Sequence, residues 1–153
     1  MTWPSVDVNQ VNQLQGEVTE VERCVLFIGR GKKGTGKTQA VNTQTDFDAL
    51  LGSAASPLKN YLTAARANAG QNWWAFVHVL ADDAEPDAWA KAVHAAQLAC
   101  SVEGVVLCDA VSDKAAINLA ATLRAELIAK YGRWVWFLLA VEGFQAEESQ
   151  ADY

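Results

Sequence analysis

Proline is scarce in this chain, three among 153 residues, and glycine contributes only ten. With 51% hydrophobic and 20% charged residues, that composition excludes collagen-like, low-complexity and disordered classes. Cysteine is almost as rare. Cys24, Cys100 and Cys108 are odd in number, sit in apolar surroundings and show no C-x-x-C spacing. A disulfide framework or a zinc site needs more, so buried reduced thiols are expected and no metal is. No apolar run approaches the ~18 residues of a membrane span. The opening MTWPSVDVNQ lacks the charged-then-apolar order of a signal peptide. The expectation is a soluble chain made in the cytoplasm. Bases are outnumbered, 12 against 18 acids, for a net charge of −6. Bulk attraction to nucleic acid or to an anionic membrane is disfavoured, and neither is expected as a partner.

What is present is one domain's worth of chain, long enough for an ordinary core. Residues 1–20 are polar with loosely spaced Val6, Val8, Val11 and Leu14, and read as an arm or edge strand. Cys24 to Ile28 is a short apolar run with the length and branching of a buried strand. A glycine-rich basic loop from Gly29 to Lys37 follows, then Thr38 to Thr43 as a weaker strand. Thr45-Asp46-Phe47-Asp48 opens a short helix that stops at Gly52. Ser56-Pro57 opens the next, with Leu58, Tyr61, Leu62 and Ala65 at helical spacing and Gly70 as its stop.

Trp73 to Leu80 is apolar at nearly every position, a pattern suited to a strand covered on both faces. Pro86 opens a helix through Ala99, with Trp89, Val93 and Ala96 inward. Val105 to Cys108 is a third buried strand. Ser112 caps a long helix to Tyr131, closed by Gly132, and Trp134 to Val141 is a further apolar strand. Strands alternating with helices predict an α/β domain over residues 21–142: a mostly parallel sheet of four to five strands with helices on its faces. Residues 143–153 are acidic and without periodicity, a linker or tail expected to lead to a missing C-terminal domain.

One motif points to nucleotides. Gly31 to Thr38 satisfies G-x-x-x-x-G-K-[ST], in which backbone amides cradle phosphates, the lysine reaches β/γ oxygens and the hydroxyl binds Mg²⁺. Gly36, Lys37 and Thr38 would carry that chemistry, with Asp109 at a strand end as the magnesium partner. A true P-loop, however, runs straight into a helix whose N-terminus holds the phosphates. Here Thr38 is followed by Gln-Ala-Val-Asn-Thr-Gln-Thr, with no helical stripe before Thr45. The small P-loop protein is therefore the alternative, and an α/β binding module of unspecified ligand a third reading.

Charge is unevenly spread. Arg23, Arg30, Lys32, Lys33 and Lys37 give residues 23–37 a local +5 with no acid. The other seven bases set against all eighteen acids leave −11 elsewhere. Such asymmetry suits copies that attract one another, although a solvated loop explains it equally well. His78 and His94 read as structural, and no Ser/His/Asp or Cys/His constellation is apparent. Asp82, Asp83 and Glu85 before a helix read as partners of its dipole. The six tryptophans, Trp3, Trp73, Trp74, Trp89, Trp134 and Trp136, read mostly as core packing on strands.

Taken in order, Val25-Leu26-Phe27-Ile28-Gly29-Arg30-Gly31, then Thr45-Asp46-Phe47-Asp48-Ala49-Leu50-Leu51-Gly52, then Asn68-Ala69-Gly70-Gln71-Asn72 before an apolar strand, resemble the N-terminal α/β region of contractile phage tail sheath proteins. The strands around Val102 to Asp109 and Arg133 to Val141 fit by order, and the likeness covers about the first 140 residues. One glycine of the family's Asn-Gly-Gly turn is absent, and so is the long C-terminal domain. The resemblance implies a phage or prophage virion protein, assembled in the bacterial host cytoplasm. It would polymerise around the tail tube protein, with neighbours linked by arms that add strands, and contract during DNA delivery. It implies no catalytic residues, no cofactor, and a monomeric isolated domain.

Overall fold

A computed structural model describes residues 24–143. The arm at residues 1–20, Arg23, and the tail beyond residue 143 lie outside the described residues. The elements run β1 (Val25–Arg30), β2 (Thr38–Asn42), α1 (Phe47–Leu51), α2 (Pro57–Ala69), β3 (Trp74–Leu80), α3 (Ala88–Ala99), β4 (Gly104–Val111), α4 (Lys114–Tyr131) and β5 (Trp136–Val141). They form one five-stranded sheet in the order β2-β3-β1-β4-β5. β1, β3, β4 and β5 are parallel, and β2 runs antiparallel along the outside of β3. The α/β expectation holds, with five strands and one antiparallel edge.

Alternation along the strands builds two cores, one on each side of the sheet. Leu26, Ile28, Val105 and Leu107 face α3 and α4, where Trp89, Val93, Ala96, Leu123 and Leu127 meet them. Phe27, Val77, Val79, Val106 and Cys108 face the other way, onto Phe47, Leu51, Leu58 and Leu62 of α1 and α2. A strand buried on both faces is why β1 and β3 read as continuous apolar runs. Gly29 is the closest approach in the second core. A methyl group there would sit 2.8 Å from Leu58 Cβ and 3.3 Å from Cys108 Cβ, so the missing side chain is what lets α2 seat on β1.

Several boundaries differ from the sequence expectations, each for a local reason. Asp46, not Thr45, caps α1: its Oδ1 accepts from the Asp48 and Ala49 amides at 2.9 and 3.1 Å. Thr45 instead closes the preceding turn, its hydroxyl accepting from the Asn42 amide at 2.8 Å. Ser56 caps α2 as expected. Asp113 rather than Ser112 caps α4, accepting from Ala116 N at 3.0 Å. Pro86 lies in the turn ahead of α3, which begins two residues later.

The tryptophans do not all pack inward. Trp73 and Trp89 are buried, but Trp134 is 72% and Trp136 50% exposed. The strand they lead into lies at the sheet edge, which an apolar run alone does not reveal. Among the cysteines, Cys24 and Cys108 are buried while Cys100 is only half-buried. Burial, and then the charge of Asp109, push the Cys108 thiol far up, and burial raises Cys100 too, so neither offers a thiolate near neutrality.

Candidate functional site

The loop Gly31–Lys37 leads out of β1 and returns as β2, a strand, so no helix N-terminus faces it. Two of its glycine amides are already committed. Gly31 N–H donates to Leu80 O at 3.0 Å and Gly36 N–H to Val79 O at 2.8 Å. Thr35 forms a bridge with Val79. Gly34 and Gly36 adopt φ of 73° and 74°, the left-handed region that glycine enters most readily. The glycines therefore turn the chain back onto β3 rather than open a cradle.

The remaining motif residues are equally occupied or displaced. Thr38 Oγ1 shares a hydrogen bond with His78 Nδ1 at 3.0 Å. Asp109 accepts from the Arg30 backbone amide at 2.8 Å. Lys33 donates to Ala49 O at the end of α1, while Lys32 and Lys37 are exposed. The motif Gly31–Thr38 thus lacks the geometry of a P-loop, and the nucleotide reading is corrected on that ground. We expect no saturable Mg-ATP binding below millimolar concentration by calorimetry. Micromolar affinity lost in Lys37→Ala would reverse that conclusion.

His78 is buried at the β2–β3 pairing, and burial lowers its pKa below the ordinary 6.5. Its neutral ring is thus built into the fold. Because the folded value is the lower one, the unfolded chain takes up the proton first as pH falls. Stability is complete above about pH 6.5 and declines below it, through the window down to the native value. Urea unfolding between pH 5 and 7.5 tests this. The slope is expected to flatten in His78→Asn, and a slope that persists would assign the effect to other groups.

Doubly wound sheets place ligands at the carboxyl ends of their strands, where the chain switches direction across the sheet. Such a crevice exists beside β1 and β4, about 310 Å³ in volume and lined by Arg30, Trp89, Asp109, Asp113 and Glu142 among others. Its lining holds four carboxylates, with Glu85, against one guanidinium. That guanidinium already donates to Ala84 O at 2.9 Å. A phosphate is repelled there. His94 pairs loosely with Glu126 at 3.5 Å on the outer face of the molecule. Among the described residues, no cluster of His, Cys, Asp and Glu is arranged to hold a metal ion, and no helix is long and apolar enough to cross a membrane.

Two surfaces stand out instead. The carboxyl end of the sheet is bipolar: Lys32 and Lys37 project from the β1–β2 loop, and Asp82, Asp83, Glu85 and Asp87 from the β3–α3 loop. The second is apolar. Trp134, Trp136, Leu138, Val141 and Ile117 are all about half exposed or more. Of these, Ile117, Trp134 and Trp136 line a groove of about 550 Å³ between α4 and β5. The sequence reading placed both tryptophans in the core and missed this surface.

Fold and surfaces together define a doubly wound α/β domain with a bipolar carboxyl end and an exposed apolar edge. The chain belongs to the DUF2586 family: the description "DUF2586, N-terminal domain" matches residues 3–153. It is 38% identical over 151 residues to a protein of Haemophilus phage HP1 (strain HP1c1) named "Putative tail sheath protein", a match covering 98% of this chain and 40% of the relative. The chain thus spans less than half the length of that relative. The likeness to phage tail sheath proteins first read from Phe27 to Gly31 and Thr45 to Gly52 stands on this match. No solved structure matches the chain.

Proposed function

We propose that this chain serves as a structural domain of a contractile phage or prophage tail sheath, self-associating with neighbouring subunits around a tail tube protein. The observation that carries the reading is the 38% identity, sustained over almost the entire chain, to the HP1 protein. The local structure supports it: the one nucleotide-like motif is spent on folding, through Gly36 to Val79 and Thr38 to His78. On this reading the domain has no catalytic residues and needs no cofactor. It resides in the virion tail after assembly in the host cytoplasm. The bipolar carboxyl end supplies complementary charge for contacts between copies.

Negative-stain microscopy of the whole gene product tests the proposal. Regular striated tubes are expected. A product that remains monomeric at high concentration, in low and moderate salt alike, overturns it.

A further inference from the structure

Cys24 and Cys100 are distant in sequence but neighbours in the fold. Cys100 ends α3, its N–H donating to Ala96 O at 2.8 Å. Its own backbone has already left helical geometry, with φ −152° and ψ 158°. Ser101, Val102 and Glu103 then carry the chain to β4. There Glu103 and Gly104 N–H both donate to the Cys24 carbonyl, at 3.0 and 3.3 Å. The connection is fixed from both sides: Gln97 Nε2 donates to Val102 O at 2.9 Å, and the Arg133 guanidinium donates to the Ser101 hydroxyl. The two thiols meet as a result. Cys24 Sγ hydrogen-bonds to Cys100 Sγ, and Cys100 Sγ donates to Ala96 O at 3.2 Å.

The third cysteine is kept apart. Cys24 belongs to the core beneath α3 and α4, and Cys100 packs against that core. Cys108 belongs to the core on the other face of the sheet, where its thiol donates to Val106 O at 3.8 Å. Of the three pairings that three cysteines allow, the fold leaves one.

We propose that Cys24 and Cys100 are an oxidisable pair, which closes into a disulfide when the domain meets a low-molecular-weight disulfide such as oxidised glutathione. Cys100 is half-buried and Cys24 buried, so Cys100 reacts first. Its sulfur, as thiolate, attacks one sulfur of the oxidant, and one glutathione thiolate leaves. The Cys24 sulfur then attacks Cys100 Sγ in the mixed disulfide, and the second glutathione leaves. The two cysteine protons go to the departing thiolates. The protein pair gives up two electrons, and the oxidant is reduced to two thiols.

A disulfide needs its sulfurs about 2.0 Å apart. The Cys100 side chain supplies the adjustment, since its backbone is extended while the Cys24 carbonyl is held by β4. Burial raises the Cys100 thiol above its ordinary value, so closure is slow at neutral pH and faster in mild alkali. The bond joins the entry of β1, a central strand, to the exit of α3. It restricts the unfolded chain over the long loop from residue 24 to residue 100 and thereby stabilises the domain. Oxidising surroundings favour it and a reducing cell interior opposes it. The inference rests on the fold alone and not on the sheath reading.

Peptide mapping of the 153-residue chain tests it. The native protein is incubated with oxidised glutathione at about pH 8.5, then unfolded, alkylated, digested and weighed by mass spectrometry. The expected product is a peptide pair joined through Cys24 and Cys100, two hydrogens lighter than the reduced pair, with Cys108 recovered alkylated. The oxidised protein should melt at least about 5 °C higher than the reduced one, a gain that dithiothreitol removes. Cys100→Ser, at a half-buried helix end, should lose both the link and the gain. Cysteines left unmodified overturn the proposal, as does Cys100 retaining glutathione. So does a link to Cys108 or between two chains, or a gain in melting temperature that persists in Cys100→Ser.

Discussion

Leu62→Ala is expected to cost about 3 kcal/mol of folding stability and to lower the melting temperature by roughly 10 °C. Leu62 is completely buried on the inner stripe of α2, among Phe27, Val77 and Val106 of the sheet. Truncating it leaves a void, because its surroundings are fixed on both sides. The sheet cannot move inward without disturbing the opposite core. α2 cannot move closer either, since Leu58 is already in contact distance of the Gly29 backbone position. A net stability of 5–15 kcal/mol means such a loss is a large fraction of the total. Urea unfolding gives the number directly. Asn60→Ala, on the exposed face of the same helix, is the control and should stay within about 0.5 kcal/mol. A Leu62→Ala variant within 1 kcal/mol of the parent would mean that α2 is not seated as described.

The second large effect concerns assembly rather than folding, and rests on the proposed sheath role. Lys32→Glu with Lys37→Glu reverses the charge of the β1–β2 loop and leaves the domain's packing untouched. Both side chains are exposed. Lys33 is left alone because its ammonium holds the Ala49 carbonyl. Stability should change by no more than about 0.5 kcal/mol per site. Placing like charges against a neighbour's acidic loop costs several kcal/mol, so the concentration needed for tube formation should rise at least about 10-fold. Light scattering of the whole gene product at low salt measures it. High salt should weaken assembly of the parent protein and narrow the difference between the two. Tubes forming at the parental concentration in low salt would remove this loop from the contact.

The strands and helices were legible because most of them are covered on both sides or along a clear stripe. Cys24 to Ile28 and Trp73 to Leu80 announce buried parallel strands by composition alone. Helix starts were blurred where two capping residues are adjacent. Thr45 and Asp46 both carry a suitable oxygen, and only the geometry shows one closing a turn and the other capping α1. The exposure of Trp134 and Trp136 was not legible at all. It depends on strand order, and the order β2-β3-β1-β4-β5 is a long-range property that no local pattern encodes. The P-loop match failed for a related reason. Its glycines and hydroxyl suit phosphate binding in isolation, but the residues after Thr38 favour a strand, and that strand takes Thr38 to His78.

The position of β1 has a consequence for how the protein is made. β1 is the first described strand to leave the ribosome, yet it lies in the middle of the sheet, between β3 and β4. Its second neighbour is complete only at Val111. At 5–20 residues per second, about 4–16 seconds pass between synthesis of Arg30 and of that residue. For this interval Leu26, Phe27 and Ile28 have at most one flank covered. The nascent chain therefore carries an adhesive stretch until β4 is made, a natural handle for ribosome-associated chaperones and a hazard wherever many copies are translated close together.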